Sequence, residues 1–291
     1  MSDAAPLDAA AAVHLAHEAL AGGPPLVGVT VIECEGAGPA VGARLAVWVA
    51  RHAGTLGSAA LDAAAVGAAR ELLAGERPAT RRVEAGGAAC TLYLEPHRAP
   101  PSLVIVGAGH IARPLCRVGA MLGFRVTVLD DRPEFATRER FPEAAEVRAA
   151  DFSAPLRGVP TAGAWLVLVT RGHKYDFEVL RDVLRRPEPP AYVGMVGSRR
   201  RTRAALEQLA QEGVAPEVLR AIHAPVGLDV GAETPEEIAV SIAAELVRLR
   251  RGGSGESLRE RERVAERWVL RREAPDGAAD GEGDTREEPD A

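Results

Sequence analysis

The sequence predicts an α/β protein: a small N-terminal α/β domain followed by a domain built around a parallel sheet. Three observations carry this. Residues 165–169 and 192–196 are short, nearly continuous apolar runs, the pattern of parallel strands buried on both faces. A glycine turn at 107–112 separates a short apolar run from a helical one. The 291 residues are more than one small core requires and suit two domains.

The elements follow in order. Residues 1–22 are alanine-rich and predict a helix, stopped by Gly22-Gly23-Pro24-Pro25. Residues 26–33 predict a strand, 34–42 a glycine and proline loop, and 43–50 a second strand. Ser58 is a good N-cap for a helix reaching about residue 74. Residues 80–85 and 88–95, split by Gly86-Gly87, predict a β-hairpin. The first domain is therefore assigned to 1–98, and the prolines of 96–101 form its linker. The second domain spans 99–252. Thr234, Pro235 and Glu237 form a capping box, and Ile238, Ile242, Leu246 and Leu249 mark the apolar stripe of the helix that follows. Residues 253–291 are read as a disordered acidic tail, with a solvated helix over 258–272 at its start.

The glycine turn is the most specific signal. A strand at 103–106 leads into Gly107-Ala108-Gly109-His110-Ile111-Ala112, which is G-x-G-x-x-A. A helix follows, and then a strand that ends in Asp130, 23 residues beyond Gly107. That context is what a dinucleotide fingerprint requires. Gly107 permits the tight turn, Gly109 lets a pyrophosphate approach the backbone, and Ala112 lets helix and strand pack closely. The helix start, with Ile111, offers N–H groups to an anion. Asp130 is placed for a ribose 2′-hydroxyl; its carboxylate disfavours a 2′-phosphate, and Arg132 opposes that preference. The domain is thus predicted to be Rossmann-like, and NAD(P) is one candidate ligand.

Composition narrows the function. The net charge is −6, which gives no electrostatic case for nucleic acid or an anionic membrane. No apolar run is long enough to span a bilayer. The three cysteines, Cys34, Cys90 and Cys116, have no paired spacing, which argues for a reducing compartment and against a disulfide framework or zinc site. With no basic leader segment at the start, a cytoplasmic location is expected. No G-x-S-x-G, H-E-x-x-H or Walker A lysine occurs.

In an open α/β sheet, ligands bind beyond the carboxyl ends of the strands. Four segments leave strands there: the glycine turn with His110, the Asp130-Asp131-Arg132 segment, residues 170–176 with His173 and Lys174, and Gly197-Ser198-Arg199-Arg200-Arg201. His173 is read as a loop histidine able to act as acid, base, ligand or hydrogen-bond donor, or simply to hold the backbone. Asp176 is read as the cap of a helix beginning at Phe177. The last segment repeats the anion logic of the first. A glycine ends a strand, Ser198 caps a helix, and arginines in its first turn oppose the helix dipole unless an anion satisfies them. The other reading is a solvated basic face.

V-G-A-G-H-I-A (106–112), L-D-D-R-P-E-F-A (129–136), V-T-R-G-H (169–173), Y-V-G-M-V-G-S-R-R (192–200) and the segment 223–245 ending in I-A-V-S-I-A-A-E resemble the XdhC/CoxI family. These are accessory proteins of xanthine dehydrogenase and carbon monoxide dehydrogenase. The resemblance implies a factor that binds the molybdenum cofactor (molybdopterin), promotes its sulfuration and delivers it. Its partners would be a molybdenum hydroxylase and a cofactor sulfurase or transferase. Gly107, Gly109, His110, Ile111, Asp130, Arg132, His173, Gly197, Ser198, Arg199 and Arg200 are the candidate cofactor-binding residues. A homodimer through the N-terminal domain is left open. The family commonly carries cysteines where this chain has Ala60 and Ala85. The resemblance therefore implies a relative that handles the cofactor without thiolate ligation. The alternatives are an NAD-dependent oxidoreductase, with His173 or Lys174 near the nicotinamide, or a nucleotide-sensing regulator.

Overall fold

A computed structural model describes residues 6–151 and 154–273 of the chain. Helix α1 (Ala9–Leu20) starts where the Asp8 carboxylate accepts the Ala11 N–H at 2.7 Å. Five strands follow: β1 (Leu26–Gly36), β2 (Arg44–Val47), β3 (His52–Gly54), β4 (Ala79–Ala85) and β5 (Ala88–His97). They form an antiparallel sheet in the order β3-β2-β1-β5-β4. Along β5, Ala88, Cys90, Leu92 and Leu94 are buried while the residues between them are not, the period-two signature of a strand with one well-covered face. Helix α2 (Ala59–Leu72) covers that face with Leu61, Ala65, Val66 and Ala69. Ala19 of α1 packs with Leu26, Ala46 and Trp48 on the other face.

Two expectations for this region change. His52–Gly54, between the expected strand over 43–50 and the helix capped by Ser58, is an edge strand too short to carry a side-chain period. Cys34 and Cys90 stand opposite each other in the β1–β5 register and are joined as a disulfide. Spacing argued against this because the partners are 56 residues apart and only the strand pairing brings them together. Cys116 stays a free thiol in the core, where burial pushes its pKa up to about 11.

The second sheet comprises β6 (Ser102–Val106), β7 (Arg125–Asp130), β8 (Glu146–Ala149), β9 (Trp165–Leu168), β10 (Tyr192–Met195) and β11 (Ile222–His223). All its pairs are parallel, in the order β11-β10-β9-β6-β7-β8. This is the doubly wound Rossmann arrangement, with its topological switch between β6 and β9. Alternate residues of one strand feed two cores. Val104 and Val106 pack with Leu180 of α4 (His173–Leu184) and Leu209 of α5 (Arg199–Gln211). Leu103 and Ile105 pack with Leu115 of α3 (Ala112–Met121) and Leu246 of α7 (Pro235–Arg251). Burial on both faces is why these strands read as unbroken apolar runs. The sequence gives no clear signal for strands β8 and β11 or helix α6 (Pro216–Arg220); β11 has only two residues, and β8 has no fully buried side chain.

Helix α7 is a structural hub. Its capping box forms as expected, with Thr234 and Glu237 exchanging backbone and side-chain bonds. The buried Glu245 accepts the Gly227 N–H at 2.6 Å and the Tyr192 hydroxyl at 3.1 Å, and pairs with His223 at 2.5 Å. Burial and that carboxylate push the Tyr192 hydroxyl pKa far upward. At the far end of α7, Arg250 and Arg251 pair with Glu76, at 2.8 and 2.9 Å, which ties α7 to the turn after α2. The expected solvated helix over 258–272 is instead two, α8 (Leu258–Glu262) and α9 (Val264–Glu273), broken at Arg263, whose φ is 49°. Residues 253–269 are all exposed, so no buried face fixes the course of a helix there. The rest of the expected tail, 274–291, lies outside the described residues. Among the described residues, no helix is long and apolar enough to cross a membrane.

Candidate functional site

The glycine turn is open on its ligand side. Gly107 has φ 109°, and a Cβ there would lie 2.6 Å from the Val169 carbonyl oxygen, so only glycine fits between β6 and β9. A Cβ at Gly109 would meet nothing within 4 Å. Its missing side chain leaves room for a ligand rather than for a neighbouring strand. The α3 start has Ile111 at the cap position and receives no side-chain cap. Its first-turn N–H groups are therefore left for an outside acceptor. A cavity of about 330 Å³ opens here, lined by Gly107, Gly109, His110, Ile111, Asp130 and Arg132. Six of the eleven sequence-predicted site residues thus share one wall system. Asp131, Phe135, Val169, Thr170 and Arg171 complete it.

Asp130 is committed to the protein itself. Its carboxylate accepts the Ala108 N–H at 2.6 Å, the Arg132 N–H at 3.0 Å, and two guanidinium bonds from Arg132 at 2.8 and 3.0 Å. Burial works against the charge, but these bonds outweigh it and hold the carboxyl at a pKa of about 2. Where the sequence suggested a ribose contact, the acid props the glycine turn from beneath and fixes Arg132. Asp131 pairs bidentately with Arg171, at 2.9 and 2.7 Å. Because β6 lies between β7 and β9, this pair crosses above the glycine turn. Arg132 and Arg140 both lie over the Phe135 ring, 3.6 and 4.4 Å from its centroid. Arg140 also donates to the Ala108 carbonyl at 3.1 Å.

The third and fourth segments are arranged differently from the sequence reading. Helix α4 begins at His173, so this histidine is the first helical residue rather than a loop residue, and Asp176 is no cap. Asp176 is fully buried and accepts from Arg201 at 2.6 Å and from Thr170 at 2.7 Å. Arg201 also reaches the Thr170 carbonyl and hydroxyl, at 3.0 and 2.8 Å. The anion that the first turn of α5 requires is therefore supplied by the protein. Ser198 caps α5 as expected, accepting the Arg201 N–H at 3.3 Å. Arg199 and Arg200 are exposed. Gly197, Ser198, Arg199 and Arg200 do not line the cavity at the glycine turn.

Two family descriptions match this chain. The XdhC Rossmann domain matches residues 103–246, and the XdhC and CoxI family matches residues 10–84. The chain belongs to the XdhC and CoxI family. Among curated relatives, the Escherichia coli (strain K12) uncharacterized protein YqeB is 35% identical over 58% of this chain and 31% of its own length. A Bacillus subtilis (strain 168) protein, described as a probable xanthine dehydrogenase component, is 31% identical over 55% of this chain and 46% of its own. The chain thus spans less than half the length of either relative. A xanthine dehydrogenase crystal structure from Bacillus halodurans aligns with TM-score 0.49 and 21% identity, over 86% of this chain and 99% of that one.

This XdhC-family chain retains a second cavity of about 360 Å³ in its N-terminal region, lined in part by Gly38, Gly57, Ser58, Gly86 and Ala88. The two alanine positions come together at its rim: a Cβ on Gly86, next to Ala85, would approach Ser58 Oγ at 2.9 Å and Ala60 Cβ at 3.8 Å. The chain's own sulfurs lie behind Gly38, where a Cβ would come within 3.4 Å of Cys90 Sγ. The buried Asp62 shapes this rim, accepting from Thr55 Oγ1 at 2.8 Å and the Leu56 N–H at 2.6 Å.

Sequence reasoning placed Asp131 and Arg171 in ligand-edge segments without choosing them as site residues, and it did not single out Phe135 or Arg140. Asp131 and Arg171 are 40 residues apart, and strand order alone makes them neighbours. The opposite charges on the loops after β7 and β9 were the available signal.

Proposed function

We propose that this protein is a xanthine dehydrogenase accessory factor that binds the molybdenum cofactor as cargo and passes it to a molybdenum hydroxylase. The observation that carries this is an open, uncapped glycine turn in an XdhC-family chain. A cargo phosphate or pyrophosphate would meet the free N–H groups of the α3 start, with Gly109 allowing its approach and Arg132 and Arg171 offering charge. Bound cargo would bring the dithiolene-held molybdenum; the chain's own part is to hold and orient the phosphate end and shield it. With Ala60 and Ala85 at the N-terminal rim, this chain's contribution is binding and delivery, and sulfur transfer belongs to a separate partner.

The test is anaerobic calorimetric titration of the full chain with molybdopterin cofactor, alongside Gly109→Val. Saturable binding that the variant loses, with folding unchanged, is the expected result. Failure of the wild type to bind at any stoichiometry would rule out the cargo reading.

A further inference from the structure

The strand-end side of the glycine-turn cavity carries an electrostatic arrangement that neither the fold nor the family assignment specifies. In a dinucleotide site that takes an unphosphorylated ribose, the acid at the end of the second strand must be free to accept the hydroxyls. Here Asp130 has four donors on its two oxygens, all from Ala108 and Arg132. It has no acceptor site to spare for a ribose. Arg132, by contrast, spends only Nε and one terminal nitrogen on Asp130, and Arg171 spends its two terminal nitrogens on Asp131 and Tyr175. A guanidinium has five N–H donors, so both retain some for a ligand. Arg140, over the same Phe135 ring as Arg132, has a buried Nε without a partner. Arg132 and Arg171 on the cavity wall, with Arg140 beside Phe135 outside the lining, set three guanidinium groups against the two carboxylates of Asp130 and Asp131.

We infer that this edge of the cavity is a seat for a phosphomonoester dianion, held by Arg132 and Arg171, and that the site discriminates against the same ligand without that phosphate. The inference rests on the reading of this cavity as the cargo or nucleotide site. Two sources share the chemistry: the 2′-phosphate of an NADP-type dinucleotide and the terminal phosphate of a pterin cofactor. Asp131 is the internal competitor. It occupies Arg171 until a phosphate, with more charge and more acceptor oxygens, takes its place.

The experiment compares 2′,5′-ADP with 5′-AMP, which differ by the 2′-phosphate, by calorimetry on the full chain. The expected result is that 2′,5′-ADP binds at least about tenfold tighter, the scale of one charge-assisted contact. In Arg171→Gln the preference falls toward one. In Asp131→Asn, which frees Arg171 and removes a repulsive charge, it rises several-fold. This opposite sign separates a phosphate seat from general damage to the loop. Equal binding of the two nucleotides overturns the inference and leaves the cavity a nucleotide site. A preference that survives Arg171→Gln also overturns it. If neither nucleotide binds, the nucleotide reading of the cavity falls too. A competition arm identifies the source: displacement of 2′,5′-ADP by molybdopterin assigns the seat to the pterin phosphate, and retention in excess molybdopterin assigns it to a dinucleotide. Discrimination between the nucleotides without any molybdopterin binding would uphold this inference and overturn the cargo proposal.

Discussion

The turns after β6 and β10 look alike in sequence and differ in the folded protein. Each follows a buried parallel strand, contains glycine and starts a helix on the same edge of the sheet. After β10, Ser198 caps α5, and Arg201 in the first turn is satisfied by the buried Asp176 and by Thr170. After β6, α3 has no side-chain cap, and Asp130 is held below the turn by Ala108 N–H and Arg132. One helix start is closed by the protein's own carboxylate, and the other is left for an anion from outside. Glycine next to a strand end is therefore weak evidence of a ligand. What decides is whether the chain has already supplied the counter-charge.

The sharpest way to break this contrast is to remove the internal counter-charge. Arg201→Ala takes the guanidinium away from the buried Asp176, and breaking a buried pair by removing one partner costs roughly 3–5 kcal/mol. Urea denaturation should show a loss of that size. A loss under about 1 kcal/mol would mean that the pair contributes no more than a surface bridge and that the β10 turn is not locked.

The open turn has its own internal lock, and acid should release it. Asp130 has its folded pKa depressed to about 2 from an ordinary 3.8. A depressed carboxyl contributes stability that is complete above its unfolded pKa and is lost as pH falls through the folded one. The window is therefore about pH 4 down to about pH 2, with a contribution on the order of 2 kcal/mol. Comparing Asp130→Asn with the wild type across that range checks this. The stability gap between them should shrink toward pH 2, and a gap independent of pH would show that the carboxylate charge does not hold the turn.

How far the sequence reveals this difference depends on the range of the contact. Gly107, Gly109 and the strand–helix context are local, and the doubly wound fold follows from them and from the apolar runs of β9 and β10. Ser198 as a cap and the box of Thr234 and Glu237 are local too. Arg201 and Asp176 are 25 residues apart, and Asp131 and Arg171 are 40 apart. No local rule distinguishes an arginine awaiting a ligand from one that meets a carboxylate on a neighbouring loop. The same limit hides the Cys34–Cys90 pairing and the commitment of Asp130 to Ala108, 22 residues earlier. Asp176 escapes the local rule for a related reason. Asp near a helix start usually caps it, but here Gly172 takes the cap position and the acid turns into the core.

A smaller effect measures the cap itself. Ser198→Ala removes the acceptor for the Arg201 N–H and should cost about 1 kcal/mol. At the other turn there is no side-chain cap to lose, so Ile111→Ala should act through packing alone and leave the α3 N–H groups as they are. Thermal unfolding of both variants, with and without ligand, separates the roles. Ligand should protect Ile111→Ala as it protects the wild type.

The smallest expected effect tests whether the two turns form one site. Arg199 and Arg200 are exposed and do not line the cavity at the glycine turn. The double change Arg199→Ala and Arg200→Ala should alter stability by no more than about 0.5 kcal/mol, as surface substitutions do. It should also leave molybdopterin affinity within about twofold, since neither side chain lines the cavity and exposed charges are weakened by solvent and salt. Arg171→Gln, on the cavity wall, should weaken it far more. If the double variant instead matched Arg171→Gln in its loss, the cargo would have to reach from the β6 turn to the β10 turn. The contrast between them would then be one of division of labour, with the open turn holding one end of the ligand and the exposed arginines the other.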